Sequence, residues 1–132
     1  MATMLGAVAG ATSFLLSLSI SPPITDYIEY RVVTPDVQRG GTLVVAATYD
    51  KAWECGGHGF AAITNRESGI ERQILDIPLG SRKPSRWSMD RRYRIPKDAD
   101  LGPTTVQETL VYDCGVFRAV VRSPEVMFTV KE

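Results

Sequence analysis

The residues best suited to chemistry are one histidine, His58, and two cysteines, Cys55 and Cys114, the only residues of these types among 132. Cys55-Gly56-Gly57-His58 could supply two zinc ligands and Cys114 a third, but a structural zinc site usually has four ligands in paired spacing. A Ser-His-Asp or Cys-His arrangement would have to use His58, which lies in a glycine-flanked turn. The sequence therefore favours an ordinary loop histidine and predicts no metal site.

Carboxylate pairs give no stronger sign of catalysis. Asp98/Asp100 and Glu67/Glu71 could act as acid–base pairs in principle, but nothing in the sequence places two carboxylates across a cleft, and Asp98 and Asp100 are better suited to turn hydrogen bonds. The glycines fall in predicted hairpin turns, so no phosphate-binding loop is predicted. We expect no enzyme activity, no cofactor and no small-molecule substrate. A small hydrolase or metal enzyme using His58 is the least favoured alternative.

Positive charge is concentrated in one segment. The chain has fifteen basic and fifteen acidic residues, yet Arg82 to Lys97 contains seven cations against one anion, Asp90. This segment could face a polyanion, lipid headgroups or an acidic partner surface; a solvated face, or an edge strand protected by charge, is the alternative. The neutral total charge argues against specific nucleic-acid binding. The predicted partner-binding residues are Arg82, Lys83, Arg86, Trp87, Arg91, Arg92 and Arg94.

The elements that would position these residues are β-strands. No segment after residue 26 has a helical period of useful length, and short β-rich runs alternate with turn signals instead. Seven or eight strands at this spacing are typical of a two-sheet sandwich. The predicted strands are Tyr27–Val33, Thr42–Trp53, Gly59–Asn65, Ile70–Ile77, Arg86–Ile95, Thr104–Cys114, Phe117–Arg122 and Val126–Lys131.

Three motifs carry a resemblance to a known family. Glu108-Thr109-Leu110-Val111-Tyr112-Asp113-Cys114 resembles the sixth-strand signature of immunoglobulin-like domains, in which an acidic residue lies six positions before a cysteine and a tyrosine two before it. Residues 34–43 resemble the first turn and second strand of bacterial Ig-like modules, and residues 95–102 the corner that leads into the tyrosine strand. The likeness covers residues 30–130 and implies an all-β, Ig-like sandwich of seven or eight strands.

The resemblance also implies roles for particular residues. Tyr112 would form a tyrosine corner, with its hydroxyl bonded to backbone near Asp98 to Gly102. Cys55 and Cys114 each end a long strand, as the inter-sheet disulfide of this fold requires; free buried thiols are the alternative. A persistent bridge would place the protein in an oxidising compartment or an extracellular particle. Antibody-type domains have a core tryptophan where this chain has Glu67, so a true immunoglobulin domain is not predicted.

The N-terminal residues differ from the rest of the chain. Residues 1–21 are apolar or small, and the first charged residue is Asp26. We expect a helical segment, in which Gly6 and Gly10 have the spacing that lets helix backbones approach closely. It could be an uncleaved membrane anchor, a cleaved signal peptide or an arm that packs into an assembly. The predicted division is an N-terminal anchor or arm (1–21), a proline-rich linker (22–26) and the sandwich (27–132).

The combination of apolar N-terminus, Ig-like body and arginine-rich strand is similar in general texture to small uncharacterised proteins encoded by bacteriophages. The favoured function is a non-enzymatic structural or interaction protein, a component of the phage virion. Its N-terminal arm and its arginine-rich strand would dock onto neighbouring subunits of an oligomeric assembly. The main alternative is a single-pass envelope protein that contacts the membrane through residues 4–20 and exports its sandwich. Either role implies a location in a virion or the cell envelope, on the oxidising side.

Overall fold

The computed structural model describes residues 25–51, 55–79 and 85–132, and this part of the chain is all-β, with no helix. The strands are numbered β1 to β9 in chain order. They are β1 Thr25–Val32, β2 Asp36–Gln38, β3 Thr42–Lys51, β4 Gly56–Asn65, β5 Glu71–Leu79, β6 Ser85–Arg94, β7 Gly102–Asp113, β8 Arg118–Arg122 and β9 Val126–Lys131. Every strand predicted from the sequence is present, the last with the predicted bounds Val126–Lys131 and the others with at least one shifted end, and β2 is an addition.

The strands form two sheets that pack as a sandwich. The small sheet has the order β1-β3-β6, and the large sheet has the order β2-β9-β7-β4-β5, with β8 also paired to β7. All pairings are antiparallel except that of β2 with β9, which is parallel. The two-sheet prediction is therefore confirmed. Both β5 and β6 have a neighbour on one side only, so they are edge strands.

Alternation of apolar residues explains how the strands face the core. In β3, Leu43, Val45, Ala47 and Tyr49 are buried, while the residues between them are partly exposed, as expected for a strand with one face on the core. The main core cluster combines inward residues from both sheets. Its buried members are Tyr30, Val37, Leu43, Val45, Ala47, Ala61, Ile63, Tyr93, Ile95, Ala99, Val106, Phe128 and Val130.

One edge of β7 is shared by two strands. Residues Gly102 to Val106 of β7 pair with β9, and Thr109 to Asp113 pair with β8. Ser123 lies at the junction, where its amide donates to the Glu108 carbonyl and its hydroxyl accepts from the Glu108 amide. At the break between β8 and β9, Ser123 therefore provides the hydrogen-bond partners of both backbone groups of Glu108 on β7.

Cys55 and Cys114 form a disulfide with a Cα–Cα distance of 4.9 Å. The predicted pairing is thus present, but its predicted position between the two sheets is wrong. Cys55 precedes β4 and Cys114 follows β7, and these strands are antiparallel neighbours in the large sheet, with Gly56 opposite Asp113. The bridge therefore closes the end of one β4–β7 ladder instead of tying one sheet to the other.

Several sequence predictions lie outside the described residues. These are the helical N-terminal segment with Gly6 and Gly10, most of the linker at 22–26, and Arg82 and Lys83 of the basic segment. In the described part of the chain the first strand begins at Thr25. No helix in that part has the length and apolar character needed to cross a membrane.

Candidate interaction surface

The basic segment folds as β6, an edge strand of the small sheet. Its residues alternate between the core and the outside, so Tyr93 is buried while Arg86, Arg92 and Arg94 are exposed. The register with β3 places Arg86 opposite Asp50, Arg92 opposite Val44 and Arg94 opposite Thr42. We use the name arginine face for the outer side of β6, with Arg86, Arg92 and Arg94. These are three of the seven predicted partner-binding residues. Trp87 does not belong to this face, which corrects its prediction: it lies opposite the buried Tyr49, on the core side of β6, and is partly buried.

Arg86 already has a partner on this face. Its Nε and Nη2 atoms donate to the two carboxylate oxygens of Asp50 at 2.8 and 3.1 Å. The hydrogen bond from Arg86 holds the pKa of Asp50 below its usual value, and the same contact raises the pKa of Arg86. Both side chains are solvent-exposed, so the pair contributes little to stability. Its effect here is to neutralise one end of the arginine face.

The other end of the arginine face carries uncompensated charge. Arg92 and Arg94 are exposed, and neither makes an ion pair with any residue in the described ranges. Asp90 is the one anion between Arg86 and Arg94 on the strand. Guanidinium groups with free donors bind carboxylates in a fixed planar geometry. Arg92 and Arg94 are therefore available to an acidic group outside this chain.

Arg91 does not belong to the arginine face, which corrects the prediction that it contacts a partner. Its position in the alternation turns it inward, where Nε lies 2.8 Å from Oε1 of Glu108. The side chain of Arg91 is 14% exposed and that of Glu108 is 0% exposed. Its Nε and Nη2 atoms are buried without a hydrogen-bond partner among the described residues, so the contact is a charge pair without hydrogen-bond alignment.

Two tyrosine hydroxyls contact the same carboxylate, and a third is linked to it through one of them. Tyr27 donates a short hydrogen bond to Oε2 of Glu108, Tyr93 lies 3.5 Å from Oε1, and the hydroxyls of Tyr30 and Tyr93 are 3.1 Å apart. Glu108 comes from the large sheet, whereas Arg91 and the tyrosines come from the small sheet. These five side chains form a polar network across the sandwich interior, and we call it the Glu108 network.

The Glu108 network changes the acid–base behaviour of its members. Burial, and then the Glu108 charge, raise the pKa of Tyr27 and of Tyr93 far above the ordinary range. Burial also raises the pKa of Tyr30, to about 12, although the hydrogen bond with Tyr93 opposes this. Burial has the largest single effect on the pKa of Arg91 and lowers it, but the charges of Glu108, Tyr93, Tyr49 and Tyr27 together outweigh burial, so the net shift is upward. These shifts keep the tyrosines neutral and Arg91 charged.

The Glu108 network is part of the buried interior of the sandwich. Glu108 is fully buried, so a substrate has no route to its carboxylate in this conformation. A buried pair of this kind is weak evidence for stability but can enforce one arrangement of the packed elements. The sequence contained a signal for this network. Glu108 lies two residues from Val106 and two from Leu110, so all three side chains lie on the same buried face of β7, and the Glu108 carboxylate requires a buried partner.

Tyr112 is buried, but the predicted tyrosine corner is wrong. Gly102 begins β7 and Tyr112 stands ten residues later near its other end, which places it roughly 30 Å from the corner segment along an extended strand. Its ring instead packs with Cys55 and Leu110, and Nζ of Lys51 lies 5.4 Å from the ring centroid. Lys51 also donates to the carbonyl of Cys55 at 3.0 Å. Tyr112 thus packs at the disulfide end of the large sheet.

The predicted turn at His58 is wrong: His58 lies on β4, opposite Val111 of β7 and Pro78 of β5, with an exposed side chain. Within the described ranges, no group of three or more His, Cys, Asp or Glu side chains is arranged to hold a metal ion. Asp98 is held by Arg72 at 2.9 Å, and this hydrogen bond lowers the pKa of Asp98. Asp100 accepts from the Ser68 hydroxyl at 3.0 Å, so the two aspartates make separate surface contacts.

The chain was compared with protein-family models and with curated proteins. No family model matches it. No curated protein matches it significantly.

Proposed function

We propose that this chain is a non-enzymatic interaction protein with an Ig-like sandwich, exported to an oxidising environment, and that it serves as a component of a phage particle. In this proposal the arginine face docks onto an acidic surface of a neighbouring subunit, and the apolar N-terminal residues attach the chain to the assembly. The single observation that carries the docking role is the pair of exposed arginines on an edge strand, Arg92 and Arg94, without ion-pair partners in the described part of the chain.

The strand order supports an Ig-like sandwich. The first strand is divided between the sheets: β1 pairs with β3 in the small sheet, and β2 lies parallel to the last strand, β9, in the large sheet. In Ig nomenclature, β1, β3 and β6 would be strands A, B and E, and the order β9-β7-β4-β5 would be G-F-C-C′. The variable-type large sheet has this same order, while the counterpart of strand D is missing from the described small sheet.

The disulfide supports an exported location, because such bridges persist in oxidising compartments and on particle surfaces. The sequence of residues 1–20 supports attachment, since it holds no charged side chain and would need cover from lipid or protein. The same two features favour a second candidate, a single-pass envelope protein with an exported sandwich. The two candidates differ in what covers residues 1–20, so extraction tests them: a virion component stays with particles in mild detergent, and a membrane protein enters the micelle fraction.

The docking role is tested by charge reversal on the arginine face. In the full-length chain, Arg92→Glu/Arg94→Glu should reduce incorporation into the assembly by tenfold or more, because two attractive contacts become repulsive. Arg66→Glu/Arg118→Glu is the matched control, since it changes the same charge at two exposed arginines away from β6. Co-sedimentation with the assembly measures incorporation, and thermal unfolding checks that both variants fold. Equal incorporation of the two variants would refute docking through β6.

A further inference from the structure

The outer face of the large sheet contains a groove of about 250 Å³. It lies across β4, β7 and β8, on the opposite side of the sandwich from the arginine face. Cross-strand pairs define its rows: Phe60 lies opposite Thr109, which lies opposite Arg122, and Ala62 lies opposite Gln107 in the next row. The side chains of Ala62, Thr64, Thr105 and Thr109 are shorter than those of the lining residues around them, Phe60, Glu71 and Arg122, and this difference in length leaves a concavity on an otherwise continuous sheet.

Two threonines of the groove are polar groups without protein partners. Thr105 and Thr109 are only 5% and 7% exposed, and neither hydroxyl has a hydrogen-bond partner among the described residues. Among those residues, the only side-chain atoms that are both fully buried and unpartnered are two nitrogens of Arg91. The threonine hydroxyls must therefore open to the groove. Such groups normally find a partner, so the groove presents polar atoms to a ligand or to solvent.

The remaining lining restricts the chemistry of a ligand. Glu71 and Glu125 stand at the rim against one cation, Arg122, so the groove is net negative and disfavours phosphates and other anions. Gln107 donates through Nε2 to the Ser123 carbonyl at 2.9 Å, which leaves its amide oxygen as an acceptor. Hydroxyls that both donate and accept, carboxylates that accept and a guanidinium that donates complement a neutral ligand rich in hydroxyl groups. Phe60 adds an apolar wall.

From this lining we infer that the groove binds a neutral saccharide unit. A pyranose ring carries adjacent hydroxyls that match the threonines, Gln107 and the rim carboxylates, and its C–H face can pack on Phe60. The pocket is smaller than a typical drug-sized site, which fits one sugar or the end of a chain. This binding site is independent of docking through the arginine face, because the two surfaces lie on opposite sheets and share no residue.

The test is an NMR titration of the full-length, ¹⁵N-labelled chain with glucose, galactose, N-acetylglucosamine and glucuronate. Binding is measured by the changes in the chemical shifts of the backbone amides. If a detergent is needed, it must be sugar-free and zwitterionic. We expect saturable shifts in β4, β7 and β8 with at least one neutral sugar, and weaker binding of glucuronate because of the two rim carboxylates. No saturable response to any neutral sugar in the millimolar range, or shifts confined to other strands, would overturn the inference.

Two variants make the test specific. Thr109→Val removes one hydroxyl that faces the groove at nearly constant volume and should weaken binding about fivefold, the usual effect of one hydrogen bond. Ala62→Phe fills the groove and should abolish binding while leaving the hydrogen-bonding groups in place. Thr48→Val is the matched control, because Thr48 lies on the outer face of the small sheet. Binding that survives Ala62→Phe, or that falls equally in Thr48→Val, would place the sugar elsewhere and contradict the proposal.

Discussion

At the scale of single residues, Glu108 and Arg91 are the charges whose loss should matter most for folding. Glu108 is fully buried and Arg91 is largely buried beside it, so removing one leaves an uncompensated charge in the core. Glu108→Gln should lower the free energy of unfolding by about 3–5 kcal/mol. Equilibrium urea unfolding of the variant and the parent chain measures this. A loss below roughly 1 kcal/mol, the scale of an exposed pair, would show that Arg91 finds water in the folded state.

The matched variant for this prediction is Glu108→Leu/Arg91→Met, which removes both charges. Because it leaves no buried charge unpaired, it should be more stable than Glu108→Gln alone and should match the parent chain in free energy of unfolding. If the double variant is instead the least stable of the three, the Glu108 network stabilises the sandwich through its hydrogen bonds, with the tyrosines as the main contributors.

Tyr30 gives the fold a pH dependence with a definite sign. Its pKa is raised in the folded state from an ordinary 10.0 to about 12, so above pH 10 the unfolded chain releases a proton that the folded chain keeps. The stability contributed by this shift is complete below pH 10 and is lost as the pH rises toward 12. The free energy of unfolding of the parent chain should fall between pH 10 and pH 12, and that of Tyr30→Phe should fall less steeply. Parallel slopes for the two chains would contradict the assignment to Tyr30.

At the scale of secondary structure, the disulfide should stabilise one end of the β4–β7 ladder. The bridge closes a loop with a sequence separation of 59, which corresponds to about 4 kcal/mol on the chain-entropy model. Cys55→Ala/Cys114→Ala should therefore unfold at lower urea concentration but keep its strand content, because ten β4–β7 residue pairs remain. Circular dichroism and urea unfolding test both parts. Loss of the β-sheet signal in the variant without denaturant would contradict them.

The same scale shows which features could be predicted from sequence. Alternation of apolar residues predicted β3 and β7, because each has one face on the core. It missed β2, since three residues carry no period and their partner, β9, is at the far end of the chain. The cysteine pairing was predicted, but strand order is not encoded in spacing, so the position of the bridge was not. Arg91 was misassigned because a charged side chain was assumed to face solvent.

At the scale of the whole molecule, the sandwich should fold without its N-terminal residues. In the described part of the chain the first strand begins at Thr25, and Pro22 and Pro23 separate residues 1–20 from it. Deletion of residues 1–20 should leave a folded, soluble chain that no longer attaches to its assembly or membrane. Circular dichroism measures folding and a partition assay measures attachment. An unfolded product would mean that the segment belongs to the core, and a folded product that still attaches would point to the arginine face.

The parallel pairing of β2 with β9 has a mechanical consequence. Asp36 to Gln38 lie beside Thr129 to Lys131 in the same direction, so a force pulling the two ends of the chain apart acts along both strands in opposite senses. Their hydrogen bonds are then loaded together in shear, instead of opening one after another as in a peeled hairpin. The antiparallel β1–β3 ladder, with Thr25 opposite Lys51, is pulled along its length in the same way. The fold thus resists tension applied through its termini, which is the direction of load for a domain tethered at one end and bound to a partner at the other.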